Sequence, residues 1–406
     1  MTYRESIDWL FSTQLFGIKL GLDGPKRLLK EYLAYPAFGV KVIHVAGTNG
    51  KGSTCAMIDS MARAAAYRTG LFTSPHLIDF RERIRVSGVE IPEDACAAML
   101  TELRELCGAL APHPTFFEIA LVLAMRWFRE RDCELIILET GMGGRLDATT
   151  AVPADVCAIT QVALDHMQWL GDTVEEIARE KAGIFVEGKP AISAPQQETV
   201  AKVLEKEANE RRTPLSFITA PLMGYPVALA GQHQRWNAAL AVECLHAAGI
   251  RLDFGVVQHG LSAVRWPGRF ERVEQGKREI VLDGAHNPQA AGVLADTWRE
   301  EFRERKASLI FSAVAAKDAA GILAHLCPLA ERIHLCPVDT PRAVAPEDLA
   351  ALLPAGAPPH TCHSTLAKAL DAALSDPHPV LIAGSLFLVG EAKAKLQGGT
   401  FQASMQ

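Results

Sequence analysis

The chain of 406 residues has no long hydrophobic run, no Cys-x-x-Cys pair and no excess of basic charge. Its longest apolar stretch near the end, VLIAGSLFLVG at 380–390, is about half of what a membrane span needs. The start, MTYRESIDWL, carries Arg4, Glu5 and Asp8 where a signal peptide would be apolar, so no secretory leader is expected. Nine cysteines, an odd number with no close pair, are expected to be reduced thiols in a cytoplasmic protein. The net charge of −6 argues against a general nucleic-acid binder. It does not exclude anionic small substrates, because a basic site can sit on an acidic protein. His360, Cys362 and His363 lie close together, but on a Pro-rich loop they are expected to be incidental rather than a metal site.

What is present is ordinary globular material, 49% hydrophobic and 22% charged. Single cores stop growing at roughly 250–300 residues, so more than one domain is expected. Short β-rich runs alternate with helical patterns from about residue 40, which argues for parallel sheets with crossover helices. VIHVAG, ELIILET and DVCAITQV each end in polar or glycine residues. EDACAAMLTELRELCGAL and FFEIALVLAMRWFRER read as helices between them. A second series, REIVLDGAHNP, SLIFSAV, RIHLCPV and HPVLIAGS with a closing helix, begins after Trp266-Pro267-Gly268. Pro267 and Gly268 break both periods, so domains of 1–266 and 267–406 are expected. There is no internal repeat and no low-complexity tail.

Residues 42–54, VIHVAGTNGKGST, carry the strongest signal: an apolar strand, a glycine-rich loop with one lysine, then a helical pattern. Glycines let the backbone turn tightly and aim N–H groups inward, and the helix that follows adds the positive end of its dipole. Such a loop holds phosphate. Lys51 would supply charge to the β- and γ-phosphates, and Ser53 or Thr54 a hydroxyl near a metal. The standard GxxxxGK[ST] is nevertheless absent, because Val45 replaces the first glycine and Gly52 separates Lys51 from the hydroxyl residues. Glu139 ends the run ELIIL beside Thr140-Gly141-Met142-Gly143-Gly144-Arg145. A carboxylate there is a natural Mg²⁺ ligand, since Mg²⁺ takes one or two carboxylates plus phosphate and water. His166 follows the run CAITQVALD, where a histidine is as often structural as functional. Thr173 and Glu176 have capping-box spacing ahead of a helix that leads to Lys181.

The loop Gly47-Thr48-Asn49-Gly50-Lys51 resembles the ATP loop of the Mur ligase superfamily, and its continuation Gly52-Ser53-Thr54 resembles the folate branch. The resemblance covers nearly the whole chain. It implies an α/β protein of two domains: an N-terminal P-loop-type, ATP-binding Mur-ligase-like domain and a smaller C-terminal Rossmann-like domain. From Thr73-Ser74-Pro75-His76-Leu77 it implies that Ser74 is a magnesium ligand, with Glu139 and with His166 of the Asp-His pair; two magnesium ions are expected. Glu180-Lys181-Ala182-Gly183-Ile184 is similar to the family segment whose lysine is carbamylated, which implies a catalytic Lys181 beside Lys51 and His166. On the nucleotide side it implies Asn237, Arg269, Asp283 and His286. On the pterin side it implies Phe116, Phe117, Arg145 and Asp147, with Thr150 departing from the family's asparagine. Arg81-Glu82-Arg83-Ile84-Arg85 reads either as a solvated charge run or as an arm near the substrate.

The implied activity is an ATP-dependent carboxylate–amine ligase that adds L-glutamate to dihydropteroate or to folates through an acyl phosphate. Two rivals are a different Mur-superfamily amide ligase and a P-loop hydrolase or kinase. The first would need a further domain ahead of Gly47; the second leaves TSPHL, EKAGI and LDGAHNP unexplained. No nucleic-acid or membrane partner is expected, and the resemblance implies a monomer.

Overall fold

The computed structural model describes residues 1–17, 21–276, 278–315, 317–399 and 401–402. It divides into two compact units. One comprises Met1–His76, Phe80–Ala228 and Arg235–Val264; the other comprises Leu77–Asp79, Leu229–Gln234 and Arg265–Gln406. Two short segments thus belong to the second unit although they lie far upstream of Arg265. Nothing in their composition marks them.

The first unit is built on an eight-stranded sheet. Its strands are β1 (Lys41–Ala46), β2 (Thr69–Phe72), β3 (Ile84–Val86), β4 (Val89–Glu90), β5 (Leu135–Glu139), β6 (Val156–Ile159), β7 (Ala191–Ser193) and β8 (Leu215–Phe217), in the order β4-β3-β2-β5-β1-β6-β7-β8. Six run parallel, as the alternating pattern predicts. β3 and β4 are antiparallel additions at one edge, which that pattern did not show. The centre is apolar on both faces, as a parallel sheet covered by helices requires. Val42, Ala46, Ile136 and Leu138 join one core with the helix Phe116–Glu130, which opens with a complete Thr115/Glu118 capping box. The register places Val45 opposite Glu139, Ala46 opposite Ile159 and Phe72 opposite Leu138. The residues after β2, β5, β1 and β6 therefore emerge side by side along one carboxyl edge, where ligands of such sheets gather.

The second unit has a six-stranded sheet of β9 (Glu271–Gln275), β10 (Arg278–Leu282), β11 (Ala307–Phe311), β12 (Ala330–Leu335), β13 (His360–Cys362) and β14 (Val380–Ala383), ordered β13-β12-β11-β14-β10-β9. Alternate side chains feed two cores: Val281, Leu309 and Leu381 on one face, Ile280, Ile310 and Ile382 on the other. Three expectations are corrected here. LDGAHNP ends the second strand of this sheet, because the antiparallel β9 precedes it. His360 and Cys362 lie in a strand rather than a loop. In the first unit, β6 stops at Ile159, so His166 is in a loop well beyond the strand end.

Candidate active site

The phosphate loop is shaped by two glycines that other residues could not replace. Gly50 takes φ +94° to open the helix Lys51–Ala64, and a Cβ there would stand 2.8 Å from Asn237 Oδ1. Gly47 takes φ +146°, and its Cβ would collide with the Thr160 hydroxyl at 1.8 Å. Thr160 begins the segment after β6, so the loop is seated against its neighbour strand. Thr48 and Asn49 donate their N–H groups to the Gln161 carbonyl, at 2.9 and 3.2 Å, rather than into the loop. The helix that follows adds the positive end of its dipole at its first turn. Gly52, Ser53 and Thr54 are buried in that turn, where the Thr54 N–H already donates to the Gly50 carbonyl at 2.9 Å.

Lys51 Nζ lies 3.2 Å from the Gly47 carbonyl and 3.3 Å from that of Thr48. The same Gly47 carbonyl accepts from Lys181 Nζ at 2.7 Å. Two lysine side chains thus share one acceptor. Lys181 is 4% exposed at the end of the helix Val174–Ala182, whose Thr173/Glu176 capping box is complete. Burial, with the Lys51 charge adding to it, pulls its pKa from 10.5 to about 7. Much of its amine is therefore neutral near physiological pH.

Beside the loop, Glu139 is 5% exposed and accepts the Ser74 N–H at 3.2 Å. Ser74 Oγ is buried and has no hydrogen-bond partner among the described residues, and the same holds for the hydroxyls of Thr54 and Thr140. Buried hydroxyls are normally satisfied, so orphans at this edge fit a ligand that supplies the partner. Among the described residues no three His, Cys, Asp or Glu side chains cluster as metal ligands. The donor set is instead one carboxylate with hydroxyls beside a phosphate loop, which suits Mg²⁺ better than Zn²⁺. His166 has φ +51° and a side chain 43% exposed, with Nε2 at 3.7 Å from Asp165. Its loop is tied to the phosphate loop by Thr48, whose hydroxyl pairs with both backbone groups of Ala163 at 3.1 Å.

The expected pterin-side residues are spread more widely. Phe116 is buried, 5.6 Å from Phe11 and 6.0 Å from Phe80 between ring centroids. Phe117 stands 5.6 Å from Phe72 and closes over Gly141, whose Cβ would meet its ring at 2.7 Å. Arg145 is paired with Glu180 at 2.8 Å with its side chain half exposed. Asp147 is turned onto its own loop: it accepts the N–H groups of Met142 and Thr149, at 2.8 and 3.0 Å, and the Thr149 hydroxyl. Burial raises its pKa against these hydrogen bonds. Behind it, His44 is held neutral by burial, with a pKa near 3, and meets the Thr149 hydroxyl at 2.7 Å.

In the second unit, Asp283 closes the end of β10. Its carboxylate accepts from the N–H groups of Phe270 and Ala285, both at 2.8 Å, and thereby fixes Phe270 at φ +46°. Burial raises its pKa, and the Arg269 charge opposes that shift. Arg269 Nη1 lies where a Cβ on Gly284 would be only 3.0 Å away. His286 Nδ1 pairs with the Gly284 carbonyl at 2.8 Å. Among the residues given no site role, Arg83 is the least expected. It lies inside the supposed charge run yet is 0% exposed. The spacing Phe80, Ile84 and Val86 around it was the available clue, but a cation among apolar residues reads equally well as surface.

A family model described as the Mur ligase middle domain matches residues 45–219, and one described as the Mur ligase glutamate ligase domain matches residues 268–386. The chain is 36% identical over 379 residues to the dihydrofolate synthase/folylpolyglutamate synthase of Bacillus subtilis, covering 86% of this chain and 88% of that protein. It superposes on E. coli FolC solved with DHPP and ADP with a TM-score of 0.87 at 33% identity, over 97% of this chain and 98% of that one. For a bifunctional folylpolyglutamate synthase/dihydrofolate synthase solved with Mn, AMPPNP and L-glutamate, the TM-score is 0.84 at 31% identity, over 97% and 98%. With both Mur ligase domains in order and 88% of the Bacillus subtilis protein covered at 36% identity, the chain belongs to the dihydrofolate synthase/folylpolyglutamate synthase family.

Proposed function

We propose that this chain is an ATP-dependent carbon–nitrogen ligase that joins L-glutamate to dihydropteroate, to the γ-carboxylate of folates, or to both. The observation that carries the reading is the edge where a phosphate loop, a buried carboxylate and an orphaned buried hydroxyl meet: Gly47–Lys51, Glu139 and Ser74. Relatives solved with ADP, AMPPNP, Mn and L-glutamate support it.

In this account the first-turn N–H groups and Lys51 hold the phosphates of ATP, with Lys51 leaving the Gly47 and Thr48 carbonyls to do so. Ser74, Glu139 and His166 would hold the divalent cation. When bound, that cation draws charge from the phosphates and orients them. A substrate carboxylate oxygen attacks the γ-phosphorus, and ADP leaves, giving an acyl phosphate. The glutamate amine then attacks the acyl carbon, loses a proton, and expels phosphate to leave the amide. Catalysis is mostly positioning and electrostatics; Asn237 is assigned to the nucleotide, and Arg269 offers a forked cation beside Asp283 and His286. Phe116, Phe117, Arg145 and Asp147 are assigned to the pterin side; for Asp147 the role is to hold the loop's shape.

Lys181 is proposed to carry a carbamate. Its neutral amine attacks CO₂, forms the N–C bond and gives up a proton, and the anion then faces the cation site. The depressed pKa and the position against Gly47 support this. We take the chain to act as a monomer in the cytoplasm. Its nine cysteines are free thiols, eight of them buried, and no described helix is long and apolar enough to cross a membrane.

The test is ADP release with dihydropteroate or tetrahydrofolate, each with and without L-glutamate. Release that needs both the pterin substrate and glutamate is expected. Release indifferent to glutamate would instead indicate a nucleotide hydrolase.

A further inference from the structure

Arg83 ends a short helical turn, Phe80–Arg83, immediately before β3. Taking a guanidinium out of water is costly unless it is paired, and here burial pulls its pKa down to about 9. Its compensation is specific. Nε donates to His76 Nδ1 at 2.8 Å, and the guanidinium carbon lies 5.2 Å from the centre of the Phe116 ring. His76 is itself buried and stands between Phe11 and Phe80, with ring centroids at 6.2 and 6.3 Å. A donor on Nδ1 requires the lone pair there, so one ring orientation and one tautomer are selected.

The backbone of the same residue acts at the other end of the loop. Its carbonyl accepts the Thr73 N–H at 3.1 Å, extending the pairing in which Phe72 faces Ile84. Arg83 therefore grips the tetrapeptide Thr73–His76 twice, by its main chain at Thr73 and by its side chain at His76. Between the grips lies Ser74, with its N–H on Glu139 and its hydroxyl orphaned. Mg²⁺ tolerates little departure from octahedral geometry at ~2.0–2.1 Å, so a hydroxyl ligand on a loop needs its direction fixed by something else. A charged donor does this more firmly than a neutral one.

We propose that Arg83 is a positioning residue for the cation site: by holding the Thr73–His76 loop at both ends, it fixes the Ser74 hydroxyl beside the Glu139 carboxylate. The inference rests on the reading of Ser74 and Glu139 as cation ligands. It assigns Arg83 no contact with substrate. What it adds is that a residue buried behind the loop sets the affinity of the site in front of it.

The test measures Mn²⁺ binding by the full chain in the presence of AMPPNP, from the electron paramagnetic resonance signal of free Mn²⁺, with metal-free thermal unfolding alongside. Arg83→Lys is expected to weaken Mn²⁺ binding about tenfold, the scale of one lost charged hydrogen bond. Because disturbing a buried cation can also unfold the chain, two variants at the other end of the contact decide independently. His76→Phe keeps a ring but removes the acceptor, and it is expected to match Arg83→Lys. His76→Asn places Oδ1 where Nδ1 stands and is expected to restore most of the affinity. Wild-type Mn²⁺ binding in folded Arg83→Lys and His76→Phe, with only a lower melting temperature, would make Arg83 structural and overturn the proposal. Glu139→Gln is the control for the underlying reading: unchanged Mn²⁺ affinity there would remove the cation site from this place, and the inference with it.

Discussion

Replacing Lys181 with methionine gives the sharpest physical test of the site, because burial of the amine dictates the sign of the effect and its scale. The native pKa is about 7 against 10.5 for an ordinary lysine. Burial of a charge causes most of that shift, so the folded chain binds this proton more weakly than the unfolded chain does. The penalty is therefore fully present below the native pKa and is relieved as pH rises from about 7 toward 10.5. At roughly 1.4 kcal/mol per pKa unit, the stability of the native protein should rise by a few kcal/mol between about pH 6.5 and about pH 9 from this group alone. Lys181→Met has no such proton. It forfeits the hydrogen bond to the Gly47 carbonyl, about 1 kcal/mol, yet should still be the more stable protein at the lower pH. Urea unfolding of both proteins in CO₂-free buffer, at the two pH values, measures the difference directly. The advantage of the variant should shrink by a few kcal/mol on going to the higher pH. A difference independent of pH would show that Lys181 keeps its proton in the folded protein, and carbamate formation on it would lose its basis.

Lys51→Ala should abolish most ligase turnover while leaving the unfolding curve nearly unchanged, because Nζ holds only loop carbonyls in the resting protein; a fully active, folded variant would detach this loop from catalysis. Gly47→Ala should lower stability by more than 2 kcal/mol, on the order expected when a Cβ is forced against a packed neighbour, and should cost ATP affinity as well. Thermal unfolding and nucleotide titration check both, and a variant with wild-type melting would show that Thr160 yields easily. Lys181→Ala should lose activity and regain part of it when a short carboxylate is added, and the absence of any rescue would argue against an anion at this place.

The features legible in the sequence are those specified locally. The glycines at 47 and 50, the lysine and the apolar strand before them define a phosphate loop in one stretch of chain, and Thr173 and Glu176 announce their helix at fixed spacing. Glu139 was readable because β5 ends where its apolar run ends. What was hidden depends on contacts made at a distance. β3 and β4 are antiparallel edges too brief to show a period of two, and β9, ERVEQ, is largely polar with no buried residue. Arg83 carries the composition of a surface residue, and only the approach of His76 and Phe116 makes its burial tolerable. Asp147 and Asp283 read as ligand-facing acids, yet each carboxylate binds the backbone of its own unit, at Met142 and Thr149 or at Phe270 and Ala285. The seating of the phosphate loop was hidden in the same way, since Gln161, which accepts the Thr48 and Asn49 N–H groups, comes from a different strand connection.

The central claim is that phosphate passes through the substrate carboxylate. Dihydropteroate or folate carrying ¹⁸O in its reacting carboxylate tests this most directly, with ATP, Mg²⁺ and L-glutamate present and the released phosphate examined by mass spectrometry. If the carboxylate attacks the γ-phosphorus and glutamate then expels phosphate from the acyl carbon, one ¹⁸O must leave with each phosphate as the amide forms. Phosphate free of ¹⁸O, released at the same rate as the glutamylated product, would contradict the acyl phosphate account.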